Sequence, residues 1–415
     1  MGPARPMSRF SKLYNHHVIK SFKIILGGNL ATQFVSMITY SLIARRFSTE
    51  DFGYAAFFLS VTFIVSIFQS GQVYWSMISN ENYEDLVVCY RDSVSCLIKT
   101  TPVLILLCIP FCFSDINKLG WTVVLVPIFS FAYCLIEINK TFANASGDHR
   151  KAVSQVFFSR SYGQLLKMLF SLGGHSGILL VIAELVANFY VGLKGSIISF
   201  GEIHKNLSTN IFERYKKHIL YYSPVNFSNL LLQELPIILS TYVYGLEASG
   251  SYFLVSRLVI NPLTLIGNSF AISQIKTINS YNKNLKSKKK FLLKSYGLLI
   301  AIGLIPSTII FYFGSNLIEI FLGKGHELTA DLAKTIALVL PFRLIKSMSM
   351  VSGINADLYK ESLVLRTILV LTLVMIPLYF RDLTFEDMVI TILVLESLCD
   401  SILALLGYKG KREQI

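Results

Sequence analysis

The chain has 415 residues, 53% of them hydrophobic and 15% charged, with a formal net charge of +13. Soluble domains carry about 25% charged residues, so the composition excludes an ordinary soluble enzyme and predicts an all-α polytopic membrane protein. The positive charge would suit a nucleic acid, but its placement in every second connection between apolar stretches is the positive-inside pattern, and no nucleic-acid partner is expected.

A spanning helix needs roughly 20 apolar residues. On that measure about twelve spans follow one another, over 24–44, 53–75, 94–113, 120–138, 152–172 and 176–198, then over 218–240, 250–272, 293–314, 328–348, 362–380 and 386–406. The basic, polar N-terminus predicts no cleavable signal peptide. With the N-terminus in the cytoplasm, Lys20, Lys23, Lys140, Arg150, Lys151, Arg214, Lys216 and the lysines of 283–290 fall on the cytoplasmic side. Arg45, Arg46, Lys118, Lys324 and Arg381 are left on the other. Both termini are therefore expected in the cytoplasm. The connections are short, and none could bury the core of a catalytic domain.

Two stretches read as one helical hairpin written twice, 47–60 and 244–257. At an offset of 197 residues Glu50 falls on Glu247, Gly53 on Gly250, Lys20 on Lys217 and Asn29 on Asn226. The repeat predicts two six-helix lobes, 1–198 and 218–415, joined by a basic cytoplasmic linker, 199–217. Membrane chains of two similar halves suit transport, because rocking about a shared central site gives alternating access.

Ionisable groups inside spans are costly and usually face a bundle interior or a watery cavity. Arg160, Gln164 and Lys167 share one helix face, as do Arg257 and Asn261. Asn29 with Gln33, Asn226 with its neighbours Asn229 and Gln233, and Arg343 with Lys346 form further polar stripes. Together these predict a cationic, hydrogen-bonding cavity, and the basic excess within the spans implies an anionic cargo. The alternative for each is snorkelling to the interface or bridging between helices. Glu137 and Glu234 are the single acids suited to a coupling proton or sodium ion, and Glu396 with Asp400, at i and i+4, could share a proton. Six cysteines lie mostly in or beside spans without a CxxC pair, and Cys108 with Cys112 does not complete a metal site. No catalytic residue, metal or cofactor is expected.

The run LIARRFSTEDFGYAAFFLS (42–60) resembles the first hairpin of polysaccharide flippases. The run GLEASGSYFLVSRLVINPLTLIGNSFAISQI (245–275), with Gly250, Tyr252, Arg257 and Pro262 in register, resembles their second-half segment, and FGSNLIEIFLGKGHELTADLAK (313–334) a later one. On these runs the chain is similar to the Wzx-type O-antigen and capsular polysaccharide flippases of the multidrug/oligosaccharidyl-lipid/polysaccharide (MOP) superfamily. The resemblance implies a V-shaped bundle that moves an undecaprenyl-diphosphate-linked oligosaccharide across the bacterial inner membrane, with Arg45 and Arg257 lining a cationic lumen. It also implies work alongside a polymerase and other polysaccharide assembly proteins. Lipid II flippases of the superfamily usually carry two further helices, for which this length leaves no room. A drug or cation antiporter of the same superfamily is the rival reading. A membrane-embedded polymerase or glycosyltransferase would need a sizeable loop domain that the chain lacks.

Overall fold

The computed structural model describes residues 27–79, 82–113, 119–196, 211–217, 219–220, 223–267, 270, 285–344, 359–379 and 383–409, and every regular element among them is helical. Helix α1 covers 27–43. It is followed by α2 (Thr49–Ser70), α3 (Tyr83–Cys108), α4 (Leu125–Ala145), α5 (His149–Gly173) and α6 (Gly177–Gly195). A short α7 (Ile211–Lys217) precedes α8 (Ser223–Val243) and α9 (Leu246–Val255), which runs on through a π-turn, Ser256–Ile260. The remainder is α10 (Leu285–Leu322), α11 (Glu327–Ala337), α12 (Tyr359–Tyr379) and α13 (Phe385–Lys409). Five segments, Thr49–Ser70, Tyr83–Phe113, Gly120–Ala145, Gly177–Gly195 and Leu293–Leu322, are long and apolar enough to cross a membrane. The chain is a multi-pass membrane protein.

Among the described residues the predicted spans overlap helices, with three instructive departures. The third helix begins at Tyr83, not 94, because the Asn82 side chain caps it by accepting from the Glu84 N–H. Its first turn is exposed, but Asp92 farther along is buried and accepts from Arg214 Nη1 at 2.9 Å and from the Tyr215 hydroxyl at 3.1 Å, which ties α7 to α3. The ninth helix begins at Leu285, so the lysine-rich stretch extends the membrane helix rather than forming a separate loop. The tenth, expected over 328–348, is interrupted after Ala337 and resumes over 340–344 around Pro341, which has no N–H to continue the ladder.

Capping at the start of α2 organises one end of the bundle. Ser48 and Asp51 form a reciprocal capping box. The second Asp51 oxygen accepts from the Gly177 N–H at 2.7 Å, so one carboxylate satisfies the N-termini of α2 and α6 together. Next to it α2 crosses α9. A Cβ on Gly53 would stand 1.8 Å from the Leu246 carbonyl oxygen, and one on Gly250 would stand 1.9 Å from the Thr49 carbonyl oxygen. Leu246 and Thr49 are themselves related by the 197-residue offset, so each glycine of the repeat sits on the first turn of the other's helix. Only a residue without a side chain allows such an approach.

From the crossing, α2 continues antiparallel to α8. Ring contacts join Phe57 to Tyr242 and Phe68 to Phe227, and the Ser223 hydroxyl donates to the Gly71 carbonyl at 3.0 Å. Phe52, Phe58, Phe129, Leu232 and Leu254 are wholly buried along this seam. Substituting leucine at Gly53 is expected to destabilise the protein by about 1–3 kcal/mol or more, because the obstructing atom is backbone. Gly173→Ala, whose added methyl meets open space, is expected to leave the midpoint of detergent unfolding where it was.

Candidate functional site

A cavity of about 470 Å3 lies between the helices of the first and second halves of the chain. Its walls come from α2 (Leu59, Phe63), α4 (Tyr133, Glu137, Lys140), α5 (Ser159, Arg160), α6 (Glu184, Asn188), α8 (Gln233, Glu234) and α9 (Arg257, Asn261), with Arg343 beyond α11. The lining positions on α4 lie towards its C-terminal end and those on α5 near its N-terminal end. The cavity therefore extends from mid-bundle away from the α2–α9 crossing.

The charges in this wall divide into matched and unmatched groups. Glu137 takes Lys140 at 2.5 Å. Glu184 is paired from behind by Lys167, which also donates to the Tyr40 hydroxyl at 3.3 Å. Arg343 is paired with buried Glu396 at 3.1 Å. Glu234 accepts from the Ser60 hydroxyl at 2.6 Å, a bond that runs from α2 to α8. Among the described residues, Arg160 and Arg257 make neither an ion pair nor a side-chain hydrogen bond. Arg257 instead lies over the Phe253 ring, 4.8 Å from its centroid, and the two guanidiniums are close enough to repel each other. Two guanidiniums without a salt-bridge partner among the described residues face one cavity, with Glu184 near enough to act on both; with Asn188, Gln233 and Asn261 beside them, they are equipped to hold an oxyanion that carries hydroxyl groups.

The sequence candidates thus separate. Arg160, Arg257, Asn261, Arg343, Glu137 and Glu234 share the cavity wall. Gln164 and Lys167 lie buried farther along α5, where Gln164 Nε2 donates to Ser36 Oγ at 3.4 Å. Asn29 is half-buried at the start of α1, away from the wall. Asn226 Nδ2 reaches Gln72 Oε1 at 3.2 Å, again outside it. Gln33 is buried and donates to the main-chain oxygen of Arg257 at 2.7 Å. Arg45 falls outside because α1 ends at 43: it projects from the following turn at the crossing end and donates to the Ile320 carbonyl at 3.3 Å. Glu396 and Asp400, expected to share a proton, each meet an arginine in the structure, Arg343 at 3.1 Å from Glu396 and Arg366 at 2.8 Å from Asp400. Lys346 lies outside the described residues. The sequence reading passed over Lys140, Glu184 and Asn188 as cavity residues, although Glu184 and Asn188 sit at i and i+4 on one face of α6.

The crossing end is sealed by His326 as well. Its Nε2–H donates to the Ala44 carbonyl at 3.3 Å, and its Nδ1 meets the Thr49 hydroxyl at 3.4 Å. Burial pushes the imidazole below its ordinary range, offset in part by the bond to Ala44. Glu319, Lys324, Glu327 and Asp331 surround the same hollow beside it.

The sequence matches no protein-family model and no curated protein. Solved structures share its fold. A lipid II flippase, MurJ, in an inward closed conformation superposes with a TM-score of 0.71 at 13% identity, covering 92% of this chain and 86% of that one. The inward-facing conformation of a multidrug resistance MATE family transporter of the MOP superfamily gives 0.68 at 12% identity, over 93% and 99%. The outward-facing conformation of a MATE family transporter gives 0.63 at 12% identity, over 95% and 94%. At these identities the likeness is one of fold alone.

Two measurements bear on the charges described above. Replacing Asp400 by alanine removes a buried carboxylate 2.8 Å from Arg366 and is expected to cost up to about 3–5 kcal/mol, whereas replacing Arg366 and Asp400 together by methionine should recover most of the loss. For His326, the folded group binds a proton less readily than the unfolded one, so its contribution is complete above the unfolded pKa of about 6.5 and declines as pH falls below it. Between pH 7.5 and 5.5 the wild-type unfolding midpoint is expected to drop further than that of His326→Gln.

Proposed function

From a fold shared with MOP superfamily transporters and a cavity with two unpaired arginines, we propose that this chain is a flippase of the Wzx type. Its cargo is an undecaprenyl-diphosphate-linked oligosaccharide, such as an O-antigen or other surface-polysaccharide repeat unit, carried across the bacterial inner membrane. The observation that carries the reading is the pair Arg160 and Arg257. A guanidinium left without a counter-ion in a bundle interior is expensive, and a diphosphate is the group that two such side chains neutralise by charge-assisted bonds. Asn188, Gln233 and Asn261 supply donors and acceptors for sugar hydroxyls. The prenyl chain stays in the bilayer, where it meets no desolvation cost.

In this reading the lobes 1–198 and 218–415, with linker 199–217 between them, alternate about the cavity through about twelve membrane spans. The basic connections face the cytoplasm, which sets the Gly53–Gly250 crossing at the periplasmic end and the cavity on the loading side. The chain binds and releases without chemical change to the cargo, and delivers it to a polymerase or other assembly proteins. Glu234 is suited to carry the coupling ion, proton or sodium: it holds a neutral hydroxyl, whereas the other acids of the wall already hold a cation. An antiporter for organic cations, the second reading, would draw on uncompensated acid in the cavity; Glu137 and Glu184 are both compensated, which leaves Glu234 as the one wall acid without an ion pair among the described residues, beside two arginines.

In proteoliposomes containing labelled undecaprenyl-diphosphate oligosaccharide, the wild type is expected to move the label between leaflets. Arg160→Ala and Arg257→Ala should each reduce the rate at least about tenfold, the cost of one charge-assisted bond, with folded protein still in the membrane. Uptake of an organic cation in place of lipid movement would transfer the assignment to the antiporter.

A further inference from the structure

The backbone around Arg257 has an unusual account of hydrogen bonds. In the π-turn, the Asn261 N–H donates to the Ser256 carbonyl, five residues back. That donor is therefore withdrawn from the Arg257 carbonyl, which it would serve in an α-helix. In the π register the Arg257 carbonyl would look instead to residue 262, and Pro262 has no N–H. The carbonyl of the cavity arginine is thus served in the α register but orphaned in the π register that the chain adopts. Gln33 supplies the missing donor from α1, across the interface between the halves, at 2.7 Å, and it is itself almost wholly buried.

We infer that Gln33 is a positioning residue that holds the π-turn of α9 in place and thereby aims Arg257 into the anion site. The inference rests on the reading of Arg257 as a ligand of the transported diphosphate. A buried carbonyl without a donor is costly, so the π-turn is stable only while α1 lies against α9. If the helix slips back by one residue, Arg257 turns by about 100° relative to Asn261 and Thr264, which line the same wall. Diphosphate affinity is therefore linked to the contact between the halves: a motion that draws α1 from α9 removes the Gln33 bond, unseats Arg257 and releases the anion. Gln33 touches no cargo; it acts through the main chain of the residue that does. Single-turn π-bulges interrupt α-helices most often where a side chain has a task that the regular register cannot meet. The equivalent position in the first half, Ser60, lies within the unbroken helix α2.

The test uses inorganic diphosphate as the probe and measures its binding to the full-length protein in detergent, alongside leaflet exchange of the labelled lipid in proteoliposomes. Gln33→Met keeps the volume and removes the donor. It is expected to weaken diphosphate binding roughly tenfold and to slow exchange to match. Adding Pro262→Ala to Gln33→Met provides an N–H five residues beyond Arg257 and is expected to return affinity to within about threefold of wild type. Wild-type affinity in Gln33→Met, with binding lost in Arg257→Ala, would overturn the positioning role and leave the cargo reading intact. Loss in Gln33→Met that Pro262→Ala fails to repair would also overturn it, as damage to packing. Unchanged diphosphate binding in Arg257→Ala would remove both the role and the reading beneath it.

Discussion

Because Gly53 and Gly250 have no side chains, the main chains of α2 and α9 meet directly. With that spacing fixed, α2 must lie along α8 and Phe52 must stack on Phe253, and the aromatic core between the halves has its shape. The Asp51 carboxylate joins α6 to the same corner. The cavity is what remains where the helices diverge beyond this contact. Enlarging either glycine would therefore alter the geometry of a wall many residues away without touching any of its side chains.

Charge inside the bundle follows a different rule. Most ionised groups there are matched across helices: Lys167 with Glu184, Arg343 with Glu396, Arg366 with Asp400. Such pairs recover part of their desolvation cost and fix the register between helices. Against that background the two arginines without a salt-bridge partner among the described residues, Arg160 and Arg257, stand apart. The matched pairs also explain why counting basic against acidic residues in the sequence does not locate a site.

Much of the fold was legible because apolar runs are long and their polar breaks are short. The hairpin repeat was legible because glycine and acid recur at fixed places in it. The site was legible only in part. Arg160, Arg257 and Asn261 were visible as polar faces on apolar helices, since helical spacing alone aligns them. Gln33 was visible as a polar residue but not as a main-chain donor, because its role depends on an unpaired carbonyl 224 residues away. Arg45 looked like a lumen residue until the helix was seen to end two positions before it. Glu396 and Asp400 illustrate the same limit: spacing places two acids on one face, but it cannot say which helices bring the arginines.

The two halves have kept the crossing and differed at the cavity. Where the second half has Arg257 on a broken turn, the first has Ser60 on an intact helix, and Ser60 reaches over to Glu234 in its counterpart. A symmetric pair of arginines at these places would repel across the seam, and a symmetric pair of serines would hold no anion. Exchange of a few wall residues would change the chemistry of the cavity while the glycine contact keeps the crossing, so the lining and the architecture of this bundle are separable.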